Sequence, residues 1–183
     1  MPMVNVEYPA GQLSAAQKSE LAEELTRVLL EIEGGGDTPF GRAGSLVRFR
    51  EGERADWFVG GKNDETYTGG MGLFQIEIFV PEGLLDQDSK TRAHQGASEA
   101  VAKVTGAAAD EMRYFWIQIF EWPEGSLASG GQTATLFGIA ARAGHPAEHP
   151  VLTYPRAYFD AKERLFDAHG FPTNVAGRAL NRY

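Results

Sequence analysis

Residues 3–11 read Met-Val-Asn-Val-Glu-Tyr-Pro-Ala-Gly, an alternating apolar and polar run with a proline and a glycine at its end. Alternation of this kind is typical of a half-buried β-strand, and Pro9 and Gly11 predict the turn that ends it. Ser14 and Gln17 then have the spacing of a capping box. Apolar residues recur at helical spacing until Gly34-Gly35-Gly36 stops the helix: Leu21, Leu25, Val28 and Ile32.

The same order of elements, strand, helix and strand, occurs twice in the chain. Residues 45–50 (SLVRFR) alternate again, and residues 57–61 (WFVGG) close a strand-helix-strand unit that is long enough for the crossover of a parallel pair. Residues 74–80 (FQIEIFV) begin a second unit, and residues 114–120 (YFWIQIF) form its second strand. Its helix is predicted to have Asp88 as N-cap and an apolar face made of Ala93, Ala97, Val101 and Val104.

Several residues of the first unit align with identical residues of the second unit. Pro9 and Gly11 fall on Pro81 and Gly83, Lys18 falls on Lys90, and Gly60-Gly61 falls on Gly130-Gly131 after a slip of two residues. Two copies of one supersecondary unit, over residues 2–61 and 72–131, are the simplest explanation. Because each copy has one apolar sheet face and one helix, the sequence predicts an α+β fold, a four-stranded mixed sheet backed by two helices.

Residues 132–183 have no counterpart in either unit and form a C-terminal extension. One helix is predicted there, beginning near Pro155 and ending before Gly170, on the pattern Ala157, Ala161, Leu165 and Ala168. The rest of the extension is rich in Pro, Gly and His. We expect it to wrap the surface or a neighbouring subunit.

Composition excludes several classes of function. The 183 residues include no cysteine, so a disulfide, a thiol nucleophile and a cysteine zinc site are all impossible. The net charge of -8 discourages nucleic-acid binding. No apolar run approaches the roughly 20 residues that span a membrane, and no secretory signal is evident, so we expect a cytoplasmic protein. His145 and His149 are each followed by proline, which argues against a helical metal site; we expect no metal.

Residues 2–61 resemble the 4-oxalocrotonate tautomerase family. The features that carry the resemblance, in order, are Met1-Pro2, a strand reaching Gly11, a helix from Leu13-Ser14 with Gln17-Lys18, Val47-Arg48-Phe49, and Trp57-Phe58-Val59-Gly60-Gly61. The degenerate second unit resembles the fused, double-length branch that contains cis-3-chloroacrylic acid dehalogenase. The resemblance implies a duplicated β-α-β fold, a homotrimer, catalysis by the terminal proline amine without a cofactor, and small unsaturated or keto acid substrates that arginines bind by their carboxylate.

Pro2 is the first candidate catalytic residue. Methionine before proline is normally removed, so we expect the mature chain to begin with the secondary amine of Pro2. A free α-amine titrates near about 8, and burial or nearby cations lower that pKa. The amine can then act as a general base or, if charged, a general acid, and in its neutral form it can also be a nucleophile. The second unit has Phe74 at the equivalent position, so one active amine per chain is expected.

Arg48 and Arg50 alternate on their strand, so both point to one face of the sheet. Two guanidinium groups on one face can hold a carboxylate and keep a neighbouring amine deprotonated. The alternative is a solvated pair bonded to Glu51, Glu53 or Asp56. The resemblance favours Arg48 as the substrate-binding arginine, and both residues are candidate catalytic residues.

Four further residues are candidates for substrate binding. Trp57 occupies the position of the aromatic residue that lines the family's pocket, although a core or interface role is the alternative. Gln12 stands where the tautomerases have an arginine, and Gln118 where the dehalogenase branch has a tyrosine. Tyr114 comes from the second unit, as do Arg113 and Glu121, for all of which a structural role is the alternative. The other departures from the dehalogenase pattern are Leu29, Pro81, Leu84 and Ala128.

Three functions are compatible with the sequence. The first is a tautomerase-type isomerase in which Pro2 moves a proton on an enol or unsaturated keto acid, with Arg48 holding its carboxylate. The second is a hydratase, dehalogenase or decarboxylase of the same superfamily. The third is a non-catalytic oligomeric binding protein, for which replacement of Pro2 would change nothing.

Overall fold

The computed structural model describes residues 3–180, except for the side chain of Ala179. Its centre is a four-stranded sheet in the order β2-β1-β3-β4, made of β1 (Met3–Pro9), β2 (Leu46–Gly52), β3 (Phe74–Pro81) and β4 (Phe115–Trp122). β1 is parallel to β2 and antiparallel to β3, and β3 is parallel to β4. The predicted mixed sheet is confirmed, and each parallel pair belongs to one β-α-β unit.

Two long helices, α1 (Ala15–Ile32) and α3 (Gln87–Thr105), cover one face of the sheet. The predicted capping box of α1 is present, because Ser14 Oγ accepts from the Gln17 amide at 3.3 Å and Gln17 Oε1 accepts from the Ser14 amide at 3.0 Å. The sequence predicts Asp88 as the cap of α3, and this prediction is wrong. Asp86 accepts from the Ser89 amide at 2.8 Å, and Asp88 lies inside the first turn, too late to bond that amide from outside the helix.

The hydrophobic core lies between the sheet and these two helices. The strands bury alternate side chains, among them Val4, Val6, Ile76 and Ile78. The predicted face of α3 is buried at all four positions, whereas on α1 Leu21 and Leu25 are joined by Leu29 and Leu30. Val28 and Ile32 are only partly buried, because they lie over Gly96 in the groove between the helices. Each buried aliphatic side chain of this size stabilises the fold by roughly 1.5–3 kcal/mol relative to an exposed one.

Matched contacts relate the two units. The amide of Ala10 donates to Gly52 O at 2.9 Å, and the amide of Glu82 donates to Trp122 O at 3.0 Å. Lys18 pairs with Glu51 at 2.7 Å, and Lys90 pairs with Glu121 at 3.2 Å. Where β1 lies against β3, Asn5 Nδ2 donates to Glu77 Oε2 at 2.9 Å. The sequence alignment of the units therefore corresponds to equivalent positions in space.

The sequence pattern does not predict several short elements. Pro39 begins a short helix, α2 (Pro39–Gly44), which Thr38 caps through the Gly41 amide. A hairpin of β5 (Leu127–Ser129) and β6 (Gln132–Ala134) precedes α4 (Leu136–Arg142). These segments are too short for a periodic signal.

The predicted helix of the extension is present as α5 (Thr153–Ala168), but its inward face differs from the expected row. The buried residues are Pro155 and Phe159, while the row expected to define the helix is exposed at Ala157, Ala161, Leu165 and Ala168. An aromatic ring removes far more apolar surface from water than an alanine does, so Phe159 decides which face packs. Within residues 3–180, no helix is long and apolar enough to cross a membrane.

Polar contacts attach the extension to the second unit. Lys162 Nζ and the Tyr158 hydroxyl donate to Glu82 Oε1 at 2.6 and 2.7 Å. Glu124 is 4% exposed, and its Oε1 accepts from the amide of Leu136, the first residue of α4, at 2.9 Å. These contacts fix α5 against the residue that follows β3 and the start of α4 against the segment that follows β4.

Candidate functional site

The candidate site is expected at the edge of the sheet where β1 begins, because the predicted catalytic residue directly precedes β1 in the sequence. Met3 pairs with Leu46 of β2 and with Phe79 of β3. Pro2, the expected catalytic amine, lies outside the described residues. The start of β1 nevertheless has described neighbours, which are the start of β2 and the end of β3.

A small cavity of about 70 Å³ lies at this edge. One wall comes from the end of α1 and from α2, at Leu30 and Phe40, and another comes from Pro81, which follows Phe79 by two residues. The extension closes the cavity with Leu136 and Ile139 of α4 and with Val151. The cavity therefore exists only because the extension packs over the first unit and the end of β3.

Among the described residues that line the cavity, Glu33 and His145 are ionisable. Glu33 follows α1 and is 8% exposed, and burial raises the pKa of its carboxyl. His145 follows α4, and burial, together with the nearby His149, lowers its pKa. Both shifts favour the neutral form, so the cavity disfavours charge of either sign.

Sequence analysis did not single out Glu33 as a functional residue. One signal was available, because a carboxylate at the C-terminal end of a helix is electrostatically unfavourable. An acid directly before three glycines therefore calls for a reason other than helix stability.

Arg48 and Arg50 do share one face of the sheet, the face away from α1 and α3. Arg48 donates from Nε and Nη2 to Asn5 Oδ1, at 3.1 and 2.8 Å, and Arg50 Nη1 pairs with Glu7 Oε1 at 2.9 Å. Both arginines are exposed. Their partners are the register neighbours on β1 rather than the acids that follow on their own strand.

The other predicted residues lie elsewhere on the chain. Trp57 stands beside Gly52 at the end of β2 and lines an open depression with Arg50 and Glu7. Gln12 bonds the backbone of Leu73 through both ends of its amide, at 3.0 and 3.4 Å. Tyr114 is buried, and its hydroxyl donates to Tyr67 O. Gln118 is exposed in the middle of β4, opposite Glu77.

One chain therefore brings Arg50 and Trp57 together but leaves both far from the start of β1. Seven residues of β2 separate the two edges of the sheet, which corresponds to about 20 Å at 3.3 Å per residue. Gln12 and Tyr114 also lie at the edge where β1 ends and β3 and β4 begin. The predicted residues that the structure describes are thus distributed over the edge where β1 ends and the open face of the sheet.

Each of the remaining polar candidates contacts a neighbouring group of the same chain. Glu121 pairs with Lys90, and the guanidinium of Arg113 lies 4.9 Å from the centre of the Tyr114 ring. The rings of His145 and His149 lie 4.2 Å apart, and His149 Nδ1 accepts from the Val151 amide. No group of three or more acidic, histidine or cysteine side chains in residues 3–180 is placed to hold a metal ion.

Known structures resemble this chain although no protein-family model and no curated protein match it. A native fused 4-OT is 25% identical, covers 72% of this chain and 95% of its own, and has a TM-score of 0.58. A member of the cis-3-chloroacrylic acid dehalogenase family is 18% identical, covers 90% and 99%, and has a TM-score of 0.60. A fused 4-OT described as a symmetric trimer is 17% identical over 76% and 98%, with a TM-score of 0.58.

These matches place the chain in a structural class, that of proteins with the tautomerase-superfamily fold. More narrowly, it has the fused, double-length form of that fold, in which two β-α-β units share one polypeptide. The resemblance that the sequence indicated is confirmed at this level.

Proposed function

We propose that the protein is a tautomerase-type isomerase that acts on a small enol or unsaturated keto acid. The observation that carries the proposal is the cavity at the start of β1, in a fold shared with a native fused 4-OT. The proposal assumes that the Pro2 amine, freed by removal of Met1, acts beside this cavity. A largely apolar wall disfavours the ammonium form and so keeps part of the amine neutral near pH 7.

The proposed proton transfer needs no cofactor. The neutral Pro2 nitrogen takes the proton of the enol hydroxyl, and the resulting ammonium returns a proton to carbon, so that the enol becomes the ketone and the amine is regenerated. The guanidinium of Arg48 holds the substrate carboxylate and stabilises the negative charge that develops on the enolate oxygen. Arg50 raises the local potential, and Trp57 screens the amine from water.

The separation of these residues supports a homotrimer in which each site is shared between protomers. Trp57 and the start of β1 lie about 20 Å apart in one chain, so a neighbouring protomer has to supply one of them. The open sheet face carries large apolar side chains that a partner would cover, since Leu46, Trp116 and Phe120 are 52, 42 and 41% exposed. Three of the similar fused 4-OT structures are described as trimers. We expect a solution mass three times the 19.9 kDa of the chain.

Replacement of the amine tests the proposal. Pro2→Ala, assayed by the ketonisation of 2-hydroxy-2,4-pentadienoate, is expected to lose about 10²- to 10⁴-fold in kcat/KM, because a general base contributes that much. Arg48→Ala is expected to lose about 10- to 100-fold, because it removes a hydrogen bond to a charged group. Pro172→Ala changes an exposed proline that does not line the cavity and is the matched control.

Labelling separates catalysis from simple binding. An amine-directed reagent such as 3-bromopropiolate should modify Pro2 alone, and intact mass should show that Met1 is absent. A chain that keeps Met1, or a Pro2→Ala variant with unchanged turnover, would refute the proposal and favour a non-catalytic binding protein.

A superfamily hydratase or dehalogenase is the second candidate, and the 99% coverage of the cis-3-chloroacrylic acid dehalogenase family member favours it. The residues Leu29, Pro81 and Leu84 argue against that particular reaction, because their side chains cannot hydrogen-bond an anion or water. Gln118 also argues against it, because an amide has no proton to exchange as an acid or base. Halide release from cis-3-chloroacrylate, measured beside the ketonisation assay, distinguishes the two.

A further inference from the structure

The cavity at the start of β1 is closed by the C-terminal extension, which the proposed reaction leaves without a role. Almost half of its lining residues belong to the extension, among them Leu136, Ile139 and Val151. The opposite wall comes from the first unit and from the segment that follows β3, and it contributes Leu30, Phe40 and Leu84. The walls are therefore aliphatic and aromatic on both sides.

These walls are held in place before any ligand enters. The contacts of Glu82 with Lys162 and Tyr158 fix α5, and the contact of Glu124 with the Leu136 amide fixes the start of α4. The Lys162–Glu82 pair is only 16% exposed on each side chain, so solvent screens it little. A preformed apolar space of this kind binds an apolar group without paying to order its own walls.

The two ionisable groups of the cavity lead to the same conclusion. Burial raises the pKa of Glu33 and lowers the pKa of His145, so the surroundings favour the neutral form of an acid and of a base alike. A carboxylate on the ligand would meet the same penalty and would add repulsion whenever Glu33 ionises. The guanidinium groups of Arg48 and Arg50 lie on the open sheet face, outside this cavity.

The size of the cavity limits what can enter. Its volume of about 70 Å³ is roughly half that of an engineered cavity of about 150 Å³ that holds benzene. A short alkyl chain of two or three carbons fits such a space, whereas a phenyl ring does not fit without movement of the walls.

We propose that this cavity is the subsite for an uncharged alkyl end of the substrate, so that the enzyme acts on monoacids with a short aliphatic tail rather than on diacids. The inference rests on the proposed function, because it assumes that the reacting carbons lie at the Pro2 amine. The extension thus determines specificity, and Ile139, on α4, is a specificity-determining residue.

The test is a substrate series that differs only at the far end. The enols 2-hydroxy-2,4-pentadienoate, its 5-methyl and 5-ethyl homologues, and the diacid with a carboxylate at that position are compared by kcat/KM. Each added carbon is expected to raise kcat/KM by about fourfold, as burial of one methylene does. The diacid is expected to fall at least about 100-fold below the ethyl homologue, because a carboxylate loses its hydration in the cavity.

A cavity-filling variant connects this preference to the extension. Ile139→Phe should reduce the ratio of kcat/KM between the ethyl and the unsubstituted substrate from about 16-fold to about one. Leu165→Phe adds the same ring to an exposed position of α5 and should keep the ratio of the parent protein. A flat series, a preference for the diacid, or a ratio that Ile139→Phe leaves intact would overturn the inference.

Binding provides a readout that does not depend on turnover. Hexanoate should shift the Ile139 Cδ1 methyl resonance in the intact protein, whereas adipate at the same concentration should not. If Pro2→Ala retains full activity, the proposed function fails whatever the series shows. If Pro2→Ala is inactive but hexanoate and adipate act alike on Ile139, the proposed function stands and the subsite inference fails.

Discussion

Arg48 and Arg50 point to the same side of β2 but have partners of different charge. Arg48 bonds the neutral amide of Asn5, whereas Arg50 pairs with the carboxylate of Glu7. The charge of Arg48 is therefore not compensated by its partner, and it is the better anchor for an incoming carboxylate. Alternation along the sequence predicted the shared face, but it could not predict this difference, because the partners come from β1 through the register of the sheet.

Glu33 gives a prediction about pH at the scale of one residue. Because burial raises its pKa, the folded protein retains a proton that the unfolded chain has lost at pH values between the ordinary pKa of 4.5 and the raised one. Stability therefore falls as the pH rises through this window. Glu33→Gln cannot ionise, so its gain in unfolding free energy over the parent should grow from pH 4.5 upward and level off above the raised pKa. Each pKa unit corresponds to about 1.4 kcal/mol.

Urea unfolding at pH 4.5, 6, 7.5 and 9 measures this gain. Glu31→Gln is the matched control, since the Glu31 side chain is 78% exposed two residues earlier on the same helix. A constant difference between Glu33→Gln and the parent across these pH values would show that the Glu33 carboxyl is ionised in the folded state.

The turns after β1 and β3 are equivalent elements with different surroundings. Gly11 has φ 85° and Gly83 has φ 72°, a left-handed conformation that costs any other residue energy. A Cβ at Gly11 would meet open space, whereas a Cβ at Gly83 would overlap the ring of Tyr158 on α5. The first turn is thus free, and the second is the platform on which α5 packs.

Alanine at the two glycines should separate backbone strain from packing. Gly11→Ala is expected to cost about 1–2 kcal/mol of unfolding free energy, from the left-handed conformation alone. Gly83→Ala should cost at least about 1 kcal/mol more, because the Tyr158 ring and its bond to Glu82 must move. Chemical denaturation of both variants measures the difference, and equal losses would mean that α5 does not depend on this contact.

The long elements followed from sequence more accurately than the short ones. Strong alternation located all four strands of the main sheet, and helical spacing located α1, α3 and α5. The inward face of α5 was wrong because Phe159 outweighs a row of alanines, and the cap of α3 was wrong because two aspartates stand two residues apart. The cavity could not be predicted at all, since its walls come from segments about 100 residues apart in the chain.

At the scale of the whole molecule, the extension packs at the end of the sheet where β3 ends. Lys162 joins it to Glu82, where burial would raise the pKa of the carboxyl but hydrogen bonds from Lys162, Tyr158 and the Glu124 amide outweigh burial and lower it. Glu82 therefore contributes stability at pH values above its ordinary pKa, and this contribution is lost as the pH falls through the lowered pKa. The attachment should weaken first in acid.

Loss of this ion pair should loosen the extension and leave the sheet intact. Lys162→Ala is expected to lower stability by about 2 kcal/mol, since a half-buried carboxylate loses a charged hydrogen-bond partner. Hydrogen exchange should accelerate across α4 and α5 but not across β1 and β3. Lys103→Ala removes a lysine that is 59% exposed from its pair with Glu24, which keeps Arg27 as a partner, and should cost less than about 1 kcal/mol. Uniform acceleration in Lys162→Ala would mean that the extension unfolds together with the sheet and its two helices.

Asn5 and Glu77 meet between the two central strands, 72 residues apart, and the same offset relates Pro9 to Pro81. Two identical half-length polypeptides arranged about a two-fold axis would set like against like here, amide facing amide or carboxylate facing carboxylate. Two carboxylates directly opposite each other repel. Fusion of the two halves into one chain removes that constraint, because the two equivalent positions can then hold different residues. One half supplies the hydrogen-bond donor, Asn5, and the other supplies the acceptor, Glu77.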